Sequence, residues 1–441
     1  MSFCPLRYRQ AILESRQLVA SLLLAALSGA EAAAQPSAVH TGLDVVIANN
    51  FAEFAGKRVG IITNPTGVDR QGRHIVDLFA AAPRVKLVAL FAPEHGIRGQ
   101  EEAGVKVPAH VDKTTGTPVY SLYGKSRKPA PATLKDLDAL IFDIQDVGTR
   151  FYTYISTLSL AMEAAAENGV AFYVLDRPNP IGGTIVEGPV LGPAQRSFVG
   201  IQPIALRHGM TVAELAFMFN EEGWLARGVR CELHIIKMAA SVSRGDSLRW
   251  GWRRDMLFED TGLTWVAPSP NMPTPRTALL YSGTGLLEAT KFSEGRGTDD
   301  PFERVGAPWA DSEALIAELR DFLPPLWLRP TDFIPLSKPG KATNPKFKGT
   351  ACHGILVEVL EPHTFPSVAF GIHLLCALHK LYPRRLGIDK QALTRLTGQE
   401  WFADMVLAGA SPQAIIARCE KDAARFREAR SRYLLYPESL R

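Results

Sequence analysis

Cysteine is scarce in this chain: there are five in 441 residues, and no two stand as C-x-x-C. Structural zinc sites use that spacing, so its absence argues against one. Basic tracts are missing too. The 49 lysines and arginines are interspersed with 45 acidic residues for a net charge of +4, which leaves nucleic-acid binding without electrostatic support. No G-x-G-x-x-G follows the first strand. Asn64-Pro65-Thr66-Gly67 stands there instead, while "GTG" at 283–285 and "GRG" at 295–297 lack the third glycine. Nicotinamide binding is thereby disfavoured. The chain has no G-x-x-x-x-G-K-[ST], H-E-x-x-H or G-x-S-x-G either, and His95, His208, His353 and His363 are scattered. A P-loop nucleotide, a metallohydrolase and a serine hydrolase lose their signatures, and no cofactor or metal is expected.

Long apolar runs are also lacking, apart from Leu18 to Leu27 near the N-terminus. That run is too short to span a bilayer. Arg7, Arg9 and Arg16 precede it and Ala32-Ala33-Ala34 follow it, the pattern of a signal peptide over residues 1–34. The mature chain from Gln35 is expected in the periplasm or outside the cell, without stable membrane insertion. Cys4 leaves with the leader. Cys231, Cys352, Cys376 and Cys419 remain, as disulfides that export permits or as buried thiols.

Apolar residues make up 46% and charged residues 21%, an ordinary globular balance, and the length suggests two domains. Strands are expected at Arg58–Thr63, Val85–Phe91, Ala139–Asp143, Ala171–Leu175 and Cys231–Met238. Helical patterns lie between them, from about His74 to Ala82, Thr153 to Asn168 and Thr211 to Asn220, the last opening on a Thr211/Glu214 capping box. Continuous apolar strands alternating with helices predict a parallel sheet covered on both faces over residues 35–262. A proline-rich stretch near Gly262 changes the texture. Beyond it, helix at Ser312–Phe322, strand at Gly354–Leu360, helix at Val368–Leu381 and further C-terminal helix predict a smaller α+β domain over 263–441.

The first four strands each run out into a polar, glycine- or proline-bearing loop: "TNPTG", "APEHGIRG", "DIQDVGTRFYTY" and "DRPNPIGG". The carboxyl edge of a parallel sheet is where an α/β fold forms its ligand crevice. Turns alone need Gly, Pro, Asn and Asp, but not Glu94, His95, Asp143, Asp146, Arg150, Asp176 and Arg177 on one rim. Asn64, Gln145 and Asn179 add amides there, and Arg98 and Tyr152 add a cation and a ring. Tyr154, Trp265, Asn271, Tyr281 and Trp309 supply aromatics and an amide near the domain join. Aromatic faces beside amides and carboxylates suit a sugar, and cleaving a glycosidic bond needs an acid at the leaving oxygen. Glu94 follows an apolar strand and Pro93, where partial desolvation raises a carboxyl toward the working range, and is the first candidate. His95 is either a second acid–base group or an orienting one. The cluster "EGRGTDDPFE" (294–303) contributes Glu294 and Arg296, which read either as a surface loop or as an anion clamp.

"FAPEHGIRG", "SLYG", "FDIQDVGTRFYTYISTL", "DRPNPIGG", "VEGP", "RHGMTVAELA", "WVAPSPNMPT" and "TGLLEATKFSEGRGTDDPFE" resemble, in order, the exo-β-N-acetylmuramidase family. "GTACHGILVEV" near the C-terminus is a looser fit. The resemblance implies a Rossmann-like domain joined to a smaller one, with the active cleft between them. It also implies release of N-acetylmuramic acid from the non-reducing end of peptidoglycan fragments. The family's P-E-H-G glutamate falls on Glu94, and its acidic, arginine-bearing motif falls on Glu294 to Asp300. Muramic acid carries a lactyl carboxylate, for which Arg98, Arg150, Arg177 and Arg296 are candidate clamps. Asp143, Asp146 or Glu294 could activate water, or the substrate's own acetamido group could attack. A periplasmic muropeptide- or amino-sugar-binding protein without turnover is the alternative reading.

Overall fold

The computed structural model describes residues 39–94, 96–98, 110–124, 126–240, 251–320 and 326–439; the leader at 1–34 and His95 lie outside them. In chain order the strands of the first half are β1 (Arg58–Thr63), β2 (Lys86–Ala92), β3 (His110–Val111), β4 (Pro118–Ser121), β5 (Ala139–Asp143), β6 (Ala171–Leu175), β7 (Glu187–Val190), β8 (Ala205–Arg207) and β9 (Leu233–Ile236). A seven-stranded sheet takes the order β3-β4-β2-β1-β5-β6-β9. All its pairings are parallel except the short β3 edge. Because side chains alternate across a strand, Leu140, Phe142, Phe172 and Val174 meet helices Tyr154–Asn168 and Val212–Glu221 on one face. Ile61, Ile141, Tyr173 and Leu175 meet helices Gly42–Ala48 and Ile75–Ala81 on the other. Burial on both faces is what makes these strands apolar throughout.

Local chemistry sets the ends. Thr211 accepts from the Glu214 N–H at 3.2 Å, and the Glu214 carboxylate accepts from the Thr211 N–H at 3.0 Å. β9 is shorter than the apolar run from Cys231 to Met238. The Cys231 N–H donates to the Asn220 side chain at 2.8 Å, and the Met238 N–H donates to the Tyr436 hydroxyl at 3.0 Å. Both ends of the run are thus taken out of the ladder by side chains.

The second, smaller domain holds an antiparallel sheet in which β12 (Cys352–Val359) lies between β10 (Arg304–Ala307) and β11 (Leu326–Phe333). Sequence reading missed β11 because Pro330 interrupts it. As an edge strand it can leave that missing N–H unpaired. Helices Pro275–Thr284, Ser312–Leu319, Ser367–Leu381, Lys390–Thr397 and Glu400–Leu407 complete the domain. The last helix, Pro412–Arg430, returns to the first domain and places Ala423 and Phe426 in its core. Cys231, Cys352, Cys376 and Cys419 are free thiols. No described helix is long and apolar enough to cross a membrane.

Candidate active site

A cavity of about 630 Å³ opens between the two domains. β2 ends at Ala92, and Pro93 turns the chain so that Glu94, half-buried, enters the cavity wall. The Tyr123 phenol, just beyond β4, hydrogen-bonds to Glu94; burial, then that carboxylate, raises its pKa. The loop after β5 contributes Phe151 and Tyr152, the start of helix Tyr154–Asn168 contributes Tyr154, and helix Pro275–Thr284 contributes Tyr281. These rings form a continuous wall. Tyr154 packs edge-on to Tyr152 at 5.0 Å, Tyr152 on Tyr281 at 5.9 Å, and Tyr281 on Phe302 at 4.7 Å. The Tyr154 hydroxyl donates to the Pro268 carbonyl at 2.5 Å, fixing the proline-rich segment against the first domain. Aromatic side chains lining a cavity offer the kind of surface on which a pyranose ring stacks.

A charged cluster from the second domain faces this wall. Glu294, only 3% exposed, is 3.1 Å from Arg296 and 2.8 Å from Lys346. Arg296 also reaches Glu288 at 3.0 Å and lies over the Phe302 ring. Burial alone would push the Glu294 carboxyl up, but Lys346 and Arg296 outweigh it and hold it below its usual range. Glu288 shifts the other way, because burial prevails over the attraction of Arg296. The cluster therefore keeps one firmly ionised carboxylate beside a more readily protonated one.

Of the residues singled out from sequence, Glu94, Tyr152, Tyr154, Asn271, Tyr281, Glu294 and Arg296 meet in this cavity. The others among the described residues are occupied elsewhere. Asp143 is fully buried in a two-pronged pair with Arg177, at 2.5 and 2.9 Å. Arg177 and Gln145 line a separate cavity of about 290 Å³ above the β1–β5 edge. Asp146 is buried, accepting from the Gly148 N–H at 2.7 Å with His208 at 3.6 Å. Asp176 accepts from the Thr211 and Tyr436 hydroxyls at 2.8 and 2.6 Å, and burial pushes its carboxyl up to about 7 despite them. Asn64 accepts from Thr66, and Asn179 bridges the Ile181 N–H and the Met210 carbonyl.

The candidate arginines divide clearly. Arg150 is buried and gives its guanidinium to the carbonyls of Pro189, Ile204, Leu396 and Thr397, so it joins backbone segments rather than facing the cavity. Arg98 is engaged by Asp77 and Asp112 at 2.7 and 2.9 Å, outside the lining. Trp265 and Trp309 are absent from the wall too. Trp265 packs on Phe258 and donates to the Met272 carbonyl, and Trp309 packs between Phe292 and Tyr382. Sequence reading passed over Glu288 and Tyr123, although both sit inside motifs it quoted. It also passed over Lys341 and Lys346, whose loop between β11 and β12 carries no motif.

Family models agree with this architecture. Residues 59–276 match the N-terminal model, and residues 279–436 the C-terminal model, of the exo-beta-N-acetylmuramidase NamZ. The peptidoglycan beta-N-acetylmuramidase NamZ of Bacillus subtilis (strain 168) is 44% identical over 400 residues, covering 90% of this chain and 91% of that protein. Two DUF1343 family proteins of Bacteroides fragilis NCTC 9343 have similar crystal structures. One has a TM-score of 0.81 at 37% identity, covering 90% of this chain and 99% of its own. The other has a TM-score of 0.71 at 32% identity, covering 91% and 99%.

Proposed function

The chain belongs to the exo-β-N-acetylmuramidase NamZ family and is a glycosidase, and on that premise we propose that its interdomain cavity releases N-acetylmuramic acid from the non-reducing end of peptidoglycan fragments. The observation that carries the assignment of the site is the convergence, in one cavity, of Glu94 from the first domain with the tyrosine wall and the ionised Glu294 from the second. In this reading Glu94 delivers its proton to the glycosidic oxygen as the C1–O bond breaks. Water adds to C1 and releases a proton that, by way of solvent, restores the acid at Glu94, and the products are N-acetylmuramic acid and a glycan one residue shorter. Tyr152 and Tyr281 support the ring, while Glu294, held ionised in its pairs with Lys346 and Arg296, lines the cavity from the second domain. In this reading Asp143 and Asp146 stand outside the step, since Arg177 holds Asp143 and neither residue lines the cavity.

Incubating the purified protein with a chromogenic β-N-acetylmuramide tests the reaction. Colour release that depends on Glu94 is expected, and its absence from pH ~5 to ~8, where histidine and raised carboxyls titrate, would leave only a sugar-binding protein. We place the mature chain in the periplasm or outside the cell, beginning at Gln35, from the leader pattern. Protein found only in the cytoplasmic fraction would overturn that placement, and a mass spectrum of exported protein that retains residues 1–34 would overturn the start at Gln35.

A further inference from the structure

Among the described residues, the charged side chains lining the cavity are Glu94, Glu288, Glu294, Arg296, Lys341 and Lys346. Four of them neutralise one another. Arg296 bridges Glu288 and Glu294, and Lys346 closes on Glu294 while donating to the Leu287 and Phe292 carbonyls. That leaves Glu94 and Lys341. Lys341 makes no ion pair among the described residues, and Asp299, the carboxylate that feels its charge, is already held by Lys338 at 2.5 Å. Its backbone is nevertheless fixed. The Lys341 N–H and the Ala342 N–H both donate to the Lys338 carbonyl, at 3.0 and 2.9 Å, and Asn271 donates to the Lys341 carbonyl at 2.9 Å.

We propose that Lys341 is the anion-recognising, specificity-determining residue of this site, selecting a sugar whose 3-O-lactyl arm ends in a free carboxylate. The inference rests on the muramidase reading for the identity of that arm. Charge balance supports it. Among the described lining residues, Glu288, Glu294, Arg296 and Lys346 balance one another, and Lys341 adds a positive charge outside those pairs that a monoanionic sugar would meet. The arginines are excluded by their own partners: Arg98, Arg150 and Arg177 are engaged outside this cavity, and Arg296 sits between two carboxylates. A lysine also suits the task. Its ammonium is a compact charge with three donors on a flexible stem, able to follow a lactyl arm that itself rotates.

Calorimetry with N-acetylmuramic acid and its lactyl carboxamide, which differ only in that charge, tests the assignment. The wild type is expected to prefer the acid by about ten-fold, a scale set by a charge-assisted hydrogen bond, and the preference should shrink as salt is added. Lys341→Met should bind acid and amide alike, and Lys341→Arg should restore most of the preference. A Lys341→Met protein that keeps the wild-type preference, a wild type that shows none, or a Lys341→Met protein that binds neither ligand would each overturn the proposal. The last would mean that the lysine acts on the fold rather than on charge. Binding is read with products, so failure to hydrolyse the chromogenic muramide would sink the hydrolase reading while leaving this measurement intact.

Discussion

Glu94 and Glu294 are both carboxylates in one cavity, yet their surroundings differ. Glu94 meets a tyrosine hydroxyl and no cation among the described residues, whereas Glu294 is clamped by Lys346 and Arg296. Glu294 is thereby held ionised in its ion pairs, while Glu94 is left outside any such clamp. Glu94→Gln is therefore expected to keep its melting temperature while turnover of a chromogenic muramide falls by about 10² to 10⁴, the usual worth of a general acid. A variant within a few-fold of wild type would remove Glu94 from the chemistry. At this scale the sequence was legible where a residue type was rare in its context. Pro93-Glu94 after an apolar strand announced itself. Arg150 and Arg177 looked equally functional in sequence, and only their partners, backbone carbonyls and Asp143, show that they serve the scaffold.

Among elements, the two loops that carry the charged cluster depend on each other. Gly297, at φ +85°, stands where a Cβ would meet the Leu336 carbonyl oxygen and the Pro345 ring, each at 2.7 Å. Leu336 in turn donates its N–H to the Gly297 carbonyl at 3.0 Å. Gly297→Ala must strain the backbone by about 1–3 kcal/mol and push Pro345, with its neighbour Lys346, away from Glu294. The expected result is a lower urea midpoint together with a fall in kcat/KM measured well below the melting temperature. A loss of stability with kcat/KM unchanged would show that the loops pack together without positioning the cluster. The strands β1, β5 and β6 could be read to the residue, because burial on both faces writes a continuous apolar run. β11 and the cavity-lining loop that follows it could not, because an edge strand with a proline and a motif-free loop leave no such imprint.

In the whole molecule, the cleft is defined by how the second domain is held to the first, and Arg150 is central to that. Its buried guanidinium has no carboxylate partner among the described residues. It takes carbonyls from the β7–β8 region and from Leu396 and Thr397 in the other domain, and burial lowers its pKa to about 9. Arg150→Ala leaves a void and unpaired carbonyls, and should cost roughly 3 kcal/mol or more in chemical denaturation. An unchanged midpoint would contradict this bridging role. Retained discrimination between muramic acid and its amide would separate the bridge from anion binding. The C-terminal segment reinforces the join, since Phe426 and Tyr433 return to the first-domain core and Tyr436 reaches Asp176. Sequence by itself determined the parallel sheet, its carboxyl-edge loops, the place of Glu94 and the family, because periodicity and contiguous motifs are local properties of a chain. Only the tertiary structure decided which charges are spent on one another. That assignment depends on pairs such as Asp143 with Arg177 and Glu294 with Lys346, brought within 3 Å from distant stretches of the chain. Lys341 stands out only once those pairs are known, since a cation becomes available to a ligand when the fold has given it no other partner.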